Sequence, residues 1–151
     1  MSESNGVVAE GFVLDCCVVM AWYFSDEQSD YADGILASMH SPGAVVPQHW
    51  RLEISNAISM GERRKRTTEA HTASFMMLLD DYSVEFDPHT NDYALTETLR
   101  LARLYGLSSY DAAYLELALR RKLPLATIDR PLAKAAALAG VVPFQPPKPT
   151  P

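Results

Sequence analysis

LSSYDAAYLELALRRKLPLATIDRP, residues 107–131, is the stretch whose reading decides the fold. Ser108 has the character of a helix N-cap, and Asp111 follows it at the capping-box spacing. Ala112, Ala113, Leu115, Leu117, Ala118 and Leu119 then make a strongly apolar helix. Arg120, Arg121 and Lys122 close it, as cations suit the negative end of a helix dipole. Pro124 follows, and Leu125 to Ile128 is an apolar run of strand length. Asp129 comes next, with Pro131 just inside a second helix that runs through the alanines to Ala139. Asp111 therefore stands at a loop-to-helix junction and Asp129 at a strand-to-helix junction. In an open α/β sheet, ligands bind outside the carboxyl ends of the strands.

The same alternation extends through the chain. Phe12-Val13-Leu14 reads as a central parallel strand ending in Asp15. CVVMAWYF, residues 17–24, is apolar all round and predicts a short buried helix. Ser25-Asp26-Glu27 caps a helix to about Met39. Ala44-Val45-Val46 is a second strand. Pro47 ends it and leads into a helix from about Gln48 to Arg64, with Trp50, Ile54, Ala57 and Ile58 on one face and Glu53 beside them. Thr67 or Thr68 caps the next helix, to about Asp81. Val84-Glu85-Phe86 is a third strand. Thr90 opens a helix whose apolar residues are Tyr93, Leu95, Leu99, Leu101 and Leu104, closed by Gly106. Val141-Val142 is a last edge strand. Strands separated by helices imply an α/β fold, a central and mostly parallel sheet of about five short strands flanked by helices. Residues 1–10 read as a flexible arm, 11–144 as one domain, and the proline-rich 145–151 as a disordered tail.

A chain of 151 residues is long enough for one domain with a real core. Its formal net charge of −6 argues against a protein that merely coats nucleic acid, but not against an enzyme holding cations between its own carboxylates. No apolar run approaches the ~18 residues that span a bilayer, and the acidic start MSESNGVVAEG is unlike a secretory or transit signal. The only cysteines, Cys16 and Cys17, are sequence neighbours, so no disulfide framework is expected and a cytoplasmic setting fits.

Each acid also has an ordinary reading. Asp15 and Asp129 can be plain N-caps, Asp111 the acid of a capping box, and Glu53 the partner of an arginine across a helix interface. Taken together they say more. Two follow strands and so share one sheet edge, to which helices can bring the other two. Four clustered carboxylates repel one another, and so raise their pKa values or bind divalent cations. An oxygen-only set suits Mg²⁺ or Mn²⁺ and not zinc. Such ions activate water and stabilise the leaving oxygen in phosphodiester cleavage.

On these residues the chain resembles a PIN domain, and most of all the VapC-type ribonuclease toxins of bacterial toxin–antitoxin pairs. The resemblance is carried by FVLDCCVVMAW, VPQHWRLEISNAI, GLSSYDAAYLELAL and LATIDRPL in that order. It implies that Asp15, Glu53, Asp111 and Asp129 are the catalytic, metal-binding acids, with Asn56 and Thr127 in supporting roles. It further implies helices around a parallel sheet, Mg²⁺- or Mn²⁺-dependent endonucleolytic cleavage of RNA, homodimerisation, and a cognate antitoxin. Cys17 departs from the pattern, since many relatives carry Ser, Thr or Asn there. A thiol is a weaker hydrogen-bonding group near a water or phosphate.

Other features are less pointed. Arg63-Arg64-Lys65-Arg66 is either a solvated helix end or a contact for RNA phosphates or an acidic antitoxin segment. Arg130 is a weak candidate for substrate phosphate. His40, His49, His71 and His89 lack metal-ligand spacing. Trp22 and Trp50 lie in apolar helical contexts and read as core. Cys17 as a nucleophile is a poor reading, with no phosphatase signature after it and no histidine placed to activate it. The competing functions are an RNA- or protein-binding module of the same fold without catalysis, a housekeeping nuclease, a nuclease acting on DNA, and a metal-dependent phosphatase, whose DxDx[TV] signature Cys17 breaks.

Overall fold

The computed structural model describes residues 11–40 and 43–147, so the expected arm and the last four residues of the expected tail lie outside the described residues. Its centre is a parallel sheet of β1 (Phe12–Leu14), β2 (Ala44–Val46), β3 (Val84–Phe86) and β4 (Leu125–Ala126), in the order β3-β2-β1-β4. β1 and β2 are buried along their whole length, as strands covered on both faces must be. From β1 the chain moves to β2 and β3 on one side, then crosses to β4 on the other. Connections leave β1 and β4 in opposite directions, so the crevice at their carboxyl ends is a switch point. The register Leu14↔Ala126 sets Asp15 opposite Thr127, and the Asp15 amide donates to Ala126 O at 3.0 Å.

Helices α1 (Cys16–Tyr23), α2 (Asp30–Ser38), α3 (Trp50–Arg63), α4 (Glu69–Asp80), α5 (Thr90–Tyr93), α6 (Leu99–Tyr105), α7 (Ser109–Arg121) and α8 (Arg130–Ala139) surround the sheet. α7 carries seven consecutive buried residues, Ala112 to Ala118, and packs on β1, β4 and α8. Val13, Leu14, Val18, Val19, Trp50, Tyr114, Leu115 and Leu117 form the middle of the core. Trp50 is 2% exposed, and the Trp22 indole N–H donates to Ala32 O at 2.7 Å, so both tryptophans are structural.

Several expectations are corrected. The sheet has four strands among the described residues. Near Val141-Val142 the chain makes only an isolated parallel bridge, Leu125↔Pro143. Gly140, at φ 87°, turns the backbone before it, and Pro143 has no N–H to extend a ladder. The helix expected from Ser25 is a short 3₁₀ turn, Ser25–Glu27, followed by α2, whose N-cap is Ser29. The helix expected from Thr90 to Gly106 is broken by a π-helical segment, Ala94–Thr98, between α5 and α6. The wider turn rotates the inward face, so Thr98 and Leu101 are buried while Leu95 and Leu104 point outward.

Candidate active site

Asp15 leaves β1 and caps α1, its Oδ1 accepting from the Cys17 amide at 3.4 Å. Only 2% of it is exposed, and three donors serve its carboxyl. The Thr127 hydroxyl donates to Oδ2 at 2.7 Å, and the Cys17 thiol reaches the same oxygen at 3.0 Å. Burial holds the carboxyl above its usual range, against the pull of those hydrogen bonds, and the Glu53 charge adds to the rise. Thr127 also accepts from the Asp129 amide at 3.0 Å. Asp129 in turn caps α8, accepting from the Leu132 amide through Oδ2 at 2.9 Å. The ordinary N-cap reading of both acids is therefore correct, and it is also what fixes them at the switch point.

Glu53, on the first turn of α3, has no arginine partner among the described residues. Burial pushes its carboxyl up, but hydrogen bonds from His49 and Tyr114 bring it below its ordinary value. The Tyr114 hydroxyl donates to Oε1 at 2.6 Å, and His49 Nε2 lies 3.2 Å from the same atom. Asp111 sits one turn before Tyr114 on α7, where Ser108 Oγ accepts from its amide at 3.1 Å. Its carboxyl is pushed up to about 6, first by burial, then by the charges of Asp15, Asp129 and Glu53. The charges of the other three acids thus all bear on Asp111.

The other sequence candidates lie as follows. Thr127 and Cys17 are in direct contact with Asp15. Burial, with the Asp15 charge behind it, pushes the Cys17 thiol far above its usual value, so it is a hydrogen-bond donor and not a nucleophile at neutral pH. Asn56 is exposed, its amide directed to Met60 Sδ at 3.6 Å. Arg130 is exposed and lies with Leu104, Tyr105 and Lys134 along a neighbouring groove. In the basic run, Arg66 pairs with Asp26 at 2.7 Å and Glu27 at 2.8 Å and stacks on Phe24. Sequence reasoning missed His49 and Tyr114. The signal was present in spacing, since His49 precedes Glu53 by four residues and Tyr114 follows Asp111 by three, the offsets that share a helix face.

Among the described residues, no three His, Cys, Asp or Glu side chains already have the arrangement of a metal site. The case for a cation is chemical. The four carboxyls make an oxygen-only donor set, and Asp111 is raised to about 6 by burial first and then by the charges of the other three. That composition fits Mg²⁺ or Mn²⁺.

Residues 12–138 match the family model described as PIN domain. The chain belongs to the PIN domain family. Within it the likeness is to the VapC type. The PIN chain here is 25% identical over 122 residues to Ribonuclease VapC3 of Pyrobaculum aerophilum, covering 81% of this chain and 92% of that protein. It also resembles the crystal structure of PAE2754 from Pyrobaculum aerophilum, with a TM-score of 0.57 and 24% identity over 87% of this chain and 83% of that one. This last likeness shows the PIN fold. No helix among the described residues is long and apolar enough to cross a membrane.

Proposed function

We propose that this PIN domain is a Mg²⁺- or Mn²⁺-dependent endoribonuclease, the toxin of a VapBC-type pair, acting in the cytoplasm. The observation that carries the reading is that burial and the charges of Asp15, Asp129 and Glu53 bear together on the Asp111 carboxyl. The likeness to a VapC ribonuclease supports RNA as substrate and an antitoxin as partner.

When bound, a divalent cation supplies Lewis acidity, polarising the phosphodiester and making water a better nucleophile. The chain's own residues would do the rest by position. Thr127 and Cys17 hold Asp15 from one side, so its carboxylate is oriented before substrate arrives. Asp129 commits Oδ2 to the cap of α8 and keeps Oδ1 for a ligand. Asp111, like Asp15, would gain from a cation, since burial and neighbouring charge make its ionised form costly. Cleavage would leave a 5′-phosphate and a 3′-hydroxyl, with no side chain bonded covalently to RNA. A homodimer would cover apolar surface such as Leu138, 68% exposed.

The test compares wild type with Asp15→Asn on a structured RNA in Mn²⁺. A loss of roughly 10²–10⁴ in rate is expected, and equal cleavage by both would end the reading. A short neighbouring reading frame whose product copurifies with this chain would support the toxin role over a housekeeping nuclease.

A further inference from the structure

The acid-bearing elements are tied together by two side chains that are not acids. Tyr114 is fully buried. Its hydroxyl donates to Glu53 Oε1 at 2.6 Å and accepts from the Cys16 amide at 3.4 Å. One phenol thereby links α3, α7 and the β1–α1 junction, the segments that carry Glu53, Asp111 and Asp15. His49 makes a second tie. Its Nε2 lies 3.1 Å from Tyr110 O and 3.2 Å from Glu53 Oε1. Both neighbours are acceptors, so Nε2 carries a hydrogen. The His49 ring is also set edge-on to the Tyr114 ring, with centroids 5.4 Å apart. The two donors converge on one oxygen of Glu53.

We infer that Tyr114 and His49 clamp Glu53 Oε1 so that Glu53 offers a divalent cation one oxygen only, which favours Mg²⁺ and Mn²⁺ over Ca²⁺. The inference rests on the proposed metal site. Oε1 accepts the Tyr114 hydrogen bond and lies 3.2 Å from His49 Nε2, which leaves it little capacity for a cation, so the uncommitted oxygen is Oε2. Mg²⁺ demands near-octahedral geometry, which single oxygens from separate carboxylates supply. Ca²⁺ takes more ligands in looser geometry and readily accepts both oxygens of one carboxylate. A clamp that forbids two-oxygen binding therefore discriminates by coordination number and not by charge. Tyr114 and His49 are positioning residues in this account, since neither touches cation or RNA.

The experiment measures Mn²⁺ and Ca²⁺ affinity by calorimetry for wild type, Tyr114→Phe and His49→Ala, with thermal melts to establish folding. Tyr114→Phe keeps the buried ring and removes only the hydroxyl. Loss of a hydrogen bond to a metal-binding side chain typically weakens metal binding about 10- to 100-fold, and that loss is expected for Mn²⁺. Ca²⁺ is expected to weaken by less, so the Mn²⁺ preference narrows. A merely structural role would weaken both ions in proportion. If wild type binds Mn²⁺ and both variants keep the wild-type ratio of affinities, the clamp is overturned and the metal site stands. If wild type binds no Mn²⁺ at millimolar concentration, the metal site falls and the clamp falls with it.

Discussion

Thr127 stands 112 residues after Asp15, yet its hydroxyl donates to Asp15 Oδ2 at 2.7 Å. The same hydroxyl accepts from the Asp129 amide at 3.0 Å, so one side chain joins the acids at the ends of β1 and β4. The parallel register makes this possible, because it sets Asp15 and Thr127 side by side at the switch point.

Thr127→Val keeps the shape and removes both roles. The buried Asp15 carboxyl loses a charge-assisted donor and the Asp129 amide loses its acceptor, a cost of about 1–3 kcal/mol. Urea denaturation should show that loss, while Thr127→Ser should stay near wild type. In the proposed nuclease, Thr127→Val should also cleave more slowly, since Asp15 is then harder to ionise.

Asp111 sets a pH dependence of stability. Its folded-state pKa of about 6 lies above the ordinary value of 3.8. A carboxyl raised in this way contributes stability that is fully present below the unfolded value and lost as pH rises through the folded one. In EDTA, Asp111→Asn should therefore melt higher than wild type at pH 7.5, and the advantage should vanish below about pH 4. Added Mn²⁺ should reverse the order at pH 7.5 by stabilising wild type alone. Melting curves across that pH range decide the matter, and an identical pH profile for the two proteins would count against a shared acidic field.

Much of this arrangement is legible in the sequence, for local reasons. Asp15 and Asp129 follow short apolar runs and precede helices, and both the N-cap role and the sheet-edge position follow from that placement. Ser108, Thr68 and Gly106 end or begin helices where their chemistry requires. What was not legible depends on contacts across the fold. Glu53 shows only that it borders an apolar stripe. Its His49 partner stands four residues earlier at the start of the same helix, but its Tyr114 partner follows from how α3 meets α7, which no periodicity reveals. The π-helical segment was hidden for a related reason. ALTET, residues 94–98, carries ordinary helix formers, and tertiary packing chooses the wider turn that buries Thr98. The fifth strand failed because two valines before a proline look like an edge strand, while only Leu125 remained to pair with.

A second cluster of charge is structural. The Arg120 guanidinium donates to Asp87 at 2.6 and 3.1 Å and to Glu116 at 2.6 and 3.1 Å, and lies over the Tyr93 ring. Asp87 is 1% exposed and Glu116 3%. Arg120→Ala would strand both carboxylates in the interior, at a cost of about 3–5 kcal/mol. Equilibrium unfolding should show a loss of that order. Arg120→Lys should recover only part of it, because an ammonium cannot reproduce the two-pronged geometry. Burial pushes the Asp87 carboxyl up, but the bonds from Arg120 hold it below its ordinary value. Its contribution is therefore present above the unfolded pKa and lost as pH falls through the lower folded one, so the variant's deficit should shrink in acid.

Asp129 permits function to be separated from folding. Its carboxyl caps α8 by accepting from the Leu132 amide at 2.9 Å, and it also belongs to the proposed cation site. Asparagine caps a helix about as well as aspartate does, whereas alanine cannot, at a cost of about 0.5–2 kcal/mol. Asp129→Asn should therefore melt close to wild type in EDTA, or slightly above it, because one of four repelling charges is gone. Asp129→Ala should melt lower by the value of the lost cap. Both should bind Mn²⁺ weakly and cleave RNA poorly, since each lacks the anionic oxygen that a cation would use. Calorimetric Mn²⁺ titration beside thermal melts distinguishes the two roles. If Asp129→Asn retained full Mn²⁺ affinity and full cleavage, Asp129 would be a helix cap and nothing more, and the proposed quartet would reduce to three acids.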